Sequence, residues 1–261
     1  MFLRRARVAV GDIREEVLAL RGKRAFQEYR APEYEIKSQS IAKGEGQSID
    51  TLGKTGTDRG DWSIIYLDLH NAVDAAGVTA SRALFPKTCA VLSKAPRPYG
   101  HSLISALSPG THIPSHTGAS NKKIRIHLPL IVPRSASHNT DTDPPLCRLR
   151  VGPQCESWTE GKCLIFDDSH QHEAWHDLSP DGRERSLARV VLIVDIWHPD
   201  LTDTEVKFLS FIRSSQMRSA KAFSDARMIP KEADFFAIIN QAREEGSDDK
   251  KVFGDINVID D

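Results

Sequence analysis

The chain has 261 residues, 39% hydrophobic and 27% charged, with a formal net charge of -1. This is a globular composition without the basic field that would hold nucleic acid or an anionic bilayer, and no apolar run approaches the roughly 18 residues of a spanning helix. Neither nucleic acid nor a membrane is an expected partner. The start, MFLRRARVAVGDIREE, has an apolar part too short for a secretory signal, and Asp12, Glu15 and Glu16 argue against a mitochondrial transit sequence. The expected compartment is therefore the cytoplasm. Cys89, Cys147, Cys155 and Cys163 show no CxxC spacing and read as reduced thiols.

Along the chain, residues 12–30 have helical spacing, with Ile13, Val17, Leu20 and Phe26 able to share one face. IKSQSIAKGEGQSIDTLGKTGTDRGDW is rich in Gly, Ser, Thr and Lys and reads as a loop or flexible lead-in. From Trp62 to Pro199 the texture changes to short apolar or alternating runs: WSIIYLDL, TCAVLSKA, HSLISALS, KIRIHLPLIV, CRLRVG, KCLIFDD and ARVVLIVDIWH, with one helical interval near 71–86. Short strands separated by turn residues predict a sandwich or barrel. LTDTEVKFLSFIRSSQMRSAKAF and KEADFFAIINQAREEG then read as amphipathic helices, Thr202 capping the first. The final SDDKKVFGDINVIDD is polar and acidic enough to predict partial disorder. The organisation expected is an N-terminal helix and lead-in over 1–59, a β core over 60–202 and a helical extension with an acidic tail over 203–261, in one domain overall.

Three stretches carry chemistry. In KKIRIHLPLIV, Ile124, Ile126, Leu128, Leu130 and Val132 form one face, and the other begins Lys123, Arg125, His127. That polar face is either solvated or turned into a binding cavity. EGKCLIFDDSHQHEAWH runs from a short apolar strand through an Asp-Asp-Ser turn into His170, His172 and His176, with Trp175 placed to wall a site. In RSLARVVLIVDIWHP, period two puts Arg189 on the face of Val191, Ile193, Asp195 and Trp197. A buried arginine needs an anion, either a core carboxylate such as Asp195 or the carboxylate of a ligand. Upstream, SPGTHIPSHTGASNKK adds His112 and His116 among glycines and prolines.

Together SPGTHIPSHTGASNKKIRIHLPLIVP, LRVGPQCESWTEGKCLIFDDSHQHEAW and RVVLIVDIWHPDL resemble the aspartyl/asparaginyl β-hydroxylase family of Fe(II)- and 2-oxoglutarate-dependent oxygenases; GDWSIIYL and PKTCAVLSK look like family sequence as well. The resemblance covers residues 60–202 in order. It implies a mainly β fold, a double-stranded β-helix (jelly roll, cupin-like) with flanking N- and C-terminal helices. By position it implies iron bound by His116 and His172, the distal carboxylate of 2-oxoglutarate held by Arg189, and further cosubstrate contacts from Ser105, Arg125 and His127. Related oxygenases use two histidines and a carboxylate, and here Gly118 stands where the carboxylate would be. His112 is expected in a structural role. The activity implied is hydroxylation of an unactivated C–H using dioxygen, coupled to conversion of 2-oxoglutarate to succinate. The substrate expected first is a small molecule or amino acid, with an aspartyl or asparaginyl residue of a peptide or protein as the alternative. An iron-dependent halogenase and a non-catalytic jelly-roll binding protein are weaker alternatives. The oligomeric state cannot be read from the chain.

Overall fold

The computed structural model describes residues 1–29, 60–69, 77–134, 145–178, 187–225 and 243–254. Most of the lead-in, the start of the helical interval at 71–76, most of the second C-terminal helix and residues 255–261 lie outside them. Two antiparallel sheets face one another as a jelly roll. The larger runs in the order β1 (Gln27–Glu28), β2 (Trp62–Leu69), β3 (Pro98–Leu107), β10 (Arg189–Trp197), β5 (Lys123–Ile131) and β8 (Leu164–Phe166). The smaller is β4 (Thr111–His116), β9 (His172–His176), β6 (Cys147–Val151) and β7 (Gln154–Ser157).

Period-two alternation divides the larger sheet into two faces. One face, with Ile104, Ile126, Leu128, Val190, Leu192 and Val194, packs under the helices α1 (Phe2–Val8) and α2 (Val10–Leu18), whose Phe2, Ala6, Ile13 and Val17 are buried against it. The other face looks into the barrel, where Ile64, Leu103, Val191 and Ile193 meet Ile113, Leu149 and Ala174 of the smaller sheet. Lys123, Arg125 and His127 lie on this inner face, paired across the sheet with Trp197, Asp195 and Ile193. That polar face is therefore turned into the barrel and not to solvent.

Several expectations are corrected. TCAVLSKA is helical: after α3 (Val78–Leu84), α4 spans Pro86–Leu92 with Pro86 in its first turn. The Glu16 carboxylate of α2 caps α4, accepting from the backbone N–H of Lys87 (2.6 Å) and Thr88 (2.9 Å) and from the Thr88 hydroxyl (2.6 Å). The N-terminal helical region begins at Phe2 and ends by Leu18, because Gly22 at φ 76° and Arg24 at φ 48° turn the chain into β1. Leu20 and Phe26 still reach the core, from the turn and from a non-helical segment. The histidine-rich stretch after KCLIFDD becomes strand β9.

At the C-terminus, α5 (Asp203–Asp225) starts on a reciprocal cap, Thr202 Oγ1 accepting from the Glu205 N–H (3.2 Å) while the Glu205 carboxylate takes the Thr202 N–H (2.7 Å). Among residues 243–254, Ser247, Asp249, Val252 and Phe253 are buried, so this part of the expected acidic tail packs on the fold, while 255–261 lie outside the described residues. In α6 (Asp249–Phe253), Val252 and Phe253 are buried, and Phe253 meets Phe26 edge-on at 6.0 Å. Two apolar residues suffice for this when the flanking charges find partners, as Lys251 does with Asp61 at 2.8 Å. The four cysteines are free thiols. Among the described residues, no helix is long and apolar enough to cross a membrane.

Candidate functional site

His116 ends β4 and His172 opens β9, directly opposite each other in the strand pairing, with ring centroids 4.1 Å apart. Each ring meets the carbonyl two residues earlier through Nδ1: His116 with Pro114 at 2.8 Å and His172 with His170 at 2.9 Å. A carbonyl only accepts, so Nδ1 carries the proton and Nε2 carries the lone pair, the tautomer a metal ligand needs. Burial, and then the neighbouring His116, push the His172 pKa down to about 3, so the ring stays neutral at ordinary pH. Among the described residues no third His, Cys, Asp or Glu completes a metal-grade cluster. The donor set the described residues offer here is two imidazoles.

Gly118 lies beside this pair for a steric reason. A Cβ built there would sit 2.7 Å from the Asp168 carboxyl carbon and 2.7 and 2.8 Å from its oxygens, closer than side-chain carbons approach. The Gly118 N–H also donates to the Asp168 carbonyl at 2.6 Å. The space a side chain at 118 would take is thus filled by a carboxylate from the turn before β9. Asp168 is 1% exposed and paired with Lys123 and, at 3.2 Å, Arg125. Beyond it, Asp195 receives a bidentate contact from Arg125 (2.9 Å twice), Lys123 at 3.2 Å and His101 Nδ1 at 2.9 Å. Arg125 and Lys123 hold the Asp195 and Asp168 carboxyls below the usual carboxylate range despite burial, and the two carboxylates raise the Arg125 pKa.

Arg189 occupies the opposite end of the barrel. It is 2% exposed and makes no ion pair with Asp195; its guanidinium lies 4.5 Å over the Trp158 ring, and its Nε is buried without a hydrogen-bond partner. Burial lowers its pKa to about 10, still a cation at neutral pH. The Trp158 indole N–H donates to His127 Nδ1 at 3.3 Å, so His127 keeps its proton on Nε2, which is buried and unpartnered. Burial and the charges of Arg189 and Arg125 hold His127 neutral. Ser105, 1% exposed on the same inner face, accepts the Trp62 indole N–H at 2.9 Å, leaving its own proton to donate. Arg189, Trp158, His127, Phe166, His172 and His116 form one contiguous wall. Orphaned buried polar atoms each cost about 1–3 kcal/mol, a cost that a polar ligand in this space would offset.

All six residues singled out in the sequence face this interior, but they differ in state. Arg125 is occupied by two carboxylates, whereas Arg189 and His127 have buried N–H groups without partners. Trp175 does not wall the site. Alternation along β9 sends His172, Ala174 and His176 inward and Glu173 and Trp175 outward, where Trp175 stacks on His112 at 5.4 Å. His112 bonds Glu173 at 2.7 Å on the same outer face, the structural role expected for it. His176 stood out only as the last histidine of the HQHEAWH cluster, with no role given to it, and Asp168, Trp62 and Trp158 were missed. The Asp-Asp turn was the one available signal for Asp168; nothing local marks the others.

Comparison with known proteins gives a family-model match to "Aspartyl/Asparaginyl beta-hydroxylase" over residues 9–199. The chain is 35% identical over 159 residues to the human aspartyl/asparaginyl beta-hydroxylase, covering 59% of this chain and 18% of that protein. It is 41% identical over 114 residues to mouse aspartate beta-hydroxylase domain-containing protein 2, covering 44% of this chain and 29% of that one. The chain thus matches less than a third of the length of either relative. A solved cupin 2 conserved barrel domain protein from Rhodopseudomonas palustris is 9% identical, with a TM-score of 0.31 over 69% of this chain and 85% of that one.

Proposed function

Because the chain belongs to the aspartyl/asparaginyl beta-hydroxylase family, we propose that it is an Fe(II)- and 2-oxoglutarate-dependent dioxygenase. The observation that carries this reading is the buried Arg189, which has no carboxylate partner among the described residues and shares one interior with two imidazoles in the metal-binding tautomer. His116 and His172 would hold iron through Nε2. Bound together, iron, 2-oxoglutarate and dioxygen supply hydroxylation of an unactivated C–H and decarboxylation to succinate. The chain's own work is binding and orientation. Arg189 holds the distal carboxylate, the Ser105 hydroxyl and His127 Nε2–H donate to the cosubstrate, and Trp62 and Trp158 fix the two donors through their indole N–H groups. Any cosubstrate contact from Arg125 comes from a guanidinium that Asp195 and Asp168 already orient.

For the substrate, an aspartyl or asparaginyl residue of a peptide is the first reading. The relatives are named for aspartyl and asparaginyl hydroxylation, which supports a peptide at least as well as the small molecule expected first. Free amino acids remain the second reading. The test is succinate release from 2-oxoglutarate with iron, oxygen and a panel of Asp- and Asn-containing peptides beside free amino acids. His116→Ala and His172→Ala should each abolish turnover; full activity in either variant overturns the assignment, and chlorinated product in added chloride would shift it to a halogenase.

A further inference from the structure

His176 is the one buried titratable group on the inner face of β9 that the proposed reaction does not use. It is 0% exposed, and its Nδ1 meets the Leu107 carbonyl at 2.8 Å, reaching from the smaller sheet to the larger. Leu107 lies directly across the strand pair from Arg189. His176 thus sits where the two sheets close on the Arg189 end, four residues and about 13 Å of strand from His172. The carbonyl fixes the proton on Nδ1, so Nε2 carries a lone pair, and that atom is buried without a partner. The two orphans at this end have opposite polarity: Arg189 Nε–H donates, and His176 Nε2 can only accept. Burial and the charge of Arg189 hold His176 neutral, with a pKa of about 4.

A carboxylate entering this end is drawn to the guanidinium and repelled by the lone pair. We propose that His176 closes the cosubstrate pocket and sets the length of the dicarboxylate, admitting 2-oxoglutarate and opposing a diacid whose carboxylate would press against Nε2. Specificity of this kind needs a repulsive element as well as an attractive one, and His176 and Arg189 supply the two. The inference rests on the dioxygenase reading.

The experiment is calorimetric binding of 2-oxoglutarate and of 2-oxoadipate, one methylene longer, to the Mn(II)-loaded full chain without oxygen. The wild-type protein should favour 2-oxoglutarate. His176→Ala removes both the lone pair and the bulk and should shift the ratio of the two Kd values about tenfold or more toward 2-oxoadipate. His176→Gln keeps the volume and can turn an N–H toward the ligand; it should shift the ratio in the same direction, and it serves if the alanine variant does not fold. A ratio unchanged in a folded variant, while Arg189→Met still weakens binding about a hundredfold or more, overturns this inference alone. If wild-type protein binds neither diacid, the dioxygenase reading falls with it.

Discussion

Asp195 and Arg189 are two buried charges on the inner face of the same strand, six residues apart, yet they occupy opposite situations. Asp195 is met by Arg125, Lys123 and His101, whereas among the described residues Arg189 has an aromatic face beneath it and a buried N–H with no acceptor. A buried charge with its partners in place belongs to the architecture. A buried charge left without them is retained at a cost to stability, and that cost is expected where a ligand completes the pair. The two ends of one strand thus separate a charge that the barrel itself satisfies from one that the described residues leave without a carboxylate, where the proposed dicarboxylate would complete the pair.

The largest expected effects set these two residues against each other. Arg189→Met should weaken 2-oxoglutarate binding by about a hundredfold or more, since truncating a hydrogen-bonded charge typically costs about 2–5 kcal/mol of binding. Its melting temperature should stay level or rise, because an unpaired buried cation is gone. Asp195→Asn should do the reverse to stability, leaving two largely buried cations, Arg125 and Lys123, to Asp168 alone, for a loss of about 3–5 kcal/mol, or roughly 10 °C in Tm. If Arg189→Met melts far below wild type while Asp195→Asn does not, the contrast is wrong. On the helical face, Phe253→Ala should cost about 3–5 kcal/mol in urea unfolding with little change in the Kd for 2-oxoglutarate, which separates core from site.

Gly118→Ala tests the metal end. With the Asp168 carboxylate 2.7 Å from the new methyl, it should cost about 1–3 kcal/mol in stability and lower activity. Gly118→Asp should be worse, because a second carboxylate would meet Asp168 where the space is already filled. An alanine variant as stable and active as wild type would make the close approach incidental. The most gradual effect is in pH. His176 is neutral in the fold with its pKa depressed to about 4, whereas the unfolded imidazole titrates near ~6.5, so the unfolded state binds the extra proton. Stability should therefore fall as pH drops from about 6.5 toward 4, by about 1.4 kcal/mol per unit for this group. His176→Gln should flatten the urea-unfolding profile by that slope, and an unchanged profile would place the titration elsewhere.

Much of this was legible in the chain. Period-two alternation alone puts Lys123, Arg125 and His127 on one face and Arg189 in line with Asp195, and the family pattern marks His116, His172 and Ser105. Helix α4 was misread because its cap, Glu16, comes from another helix 72 residues away in sequence. The sequence by itself determined which residues share a face, since alternation is a property of neighbouring backbone units, but not which face turns inward. Only the tertiary structure decided what each one meets. The partners lie far along the chain: Asp168 45 residues from Lys123, Asp195 70 from Arg125, Leu107 69 from His176. Strand pairing and the closing of two sheets put Arg125 on Asp195, filled the space at Gly118 with Asp168 and set His176 against the Arg189 end. No local pattern encodes those distances, because they arise from how the barrel closes.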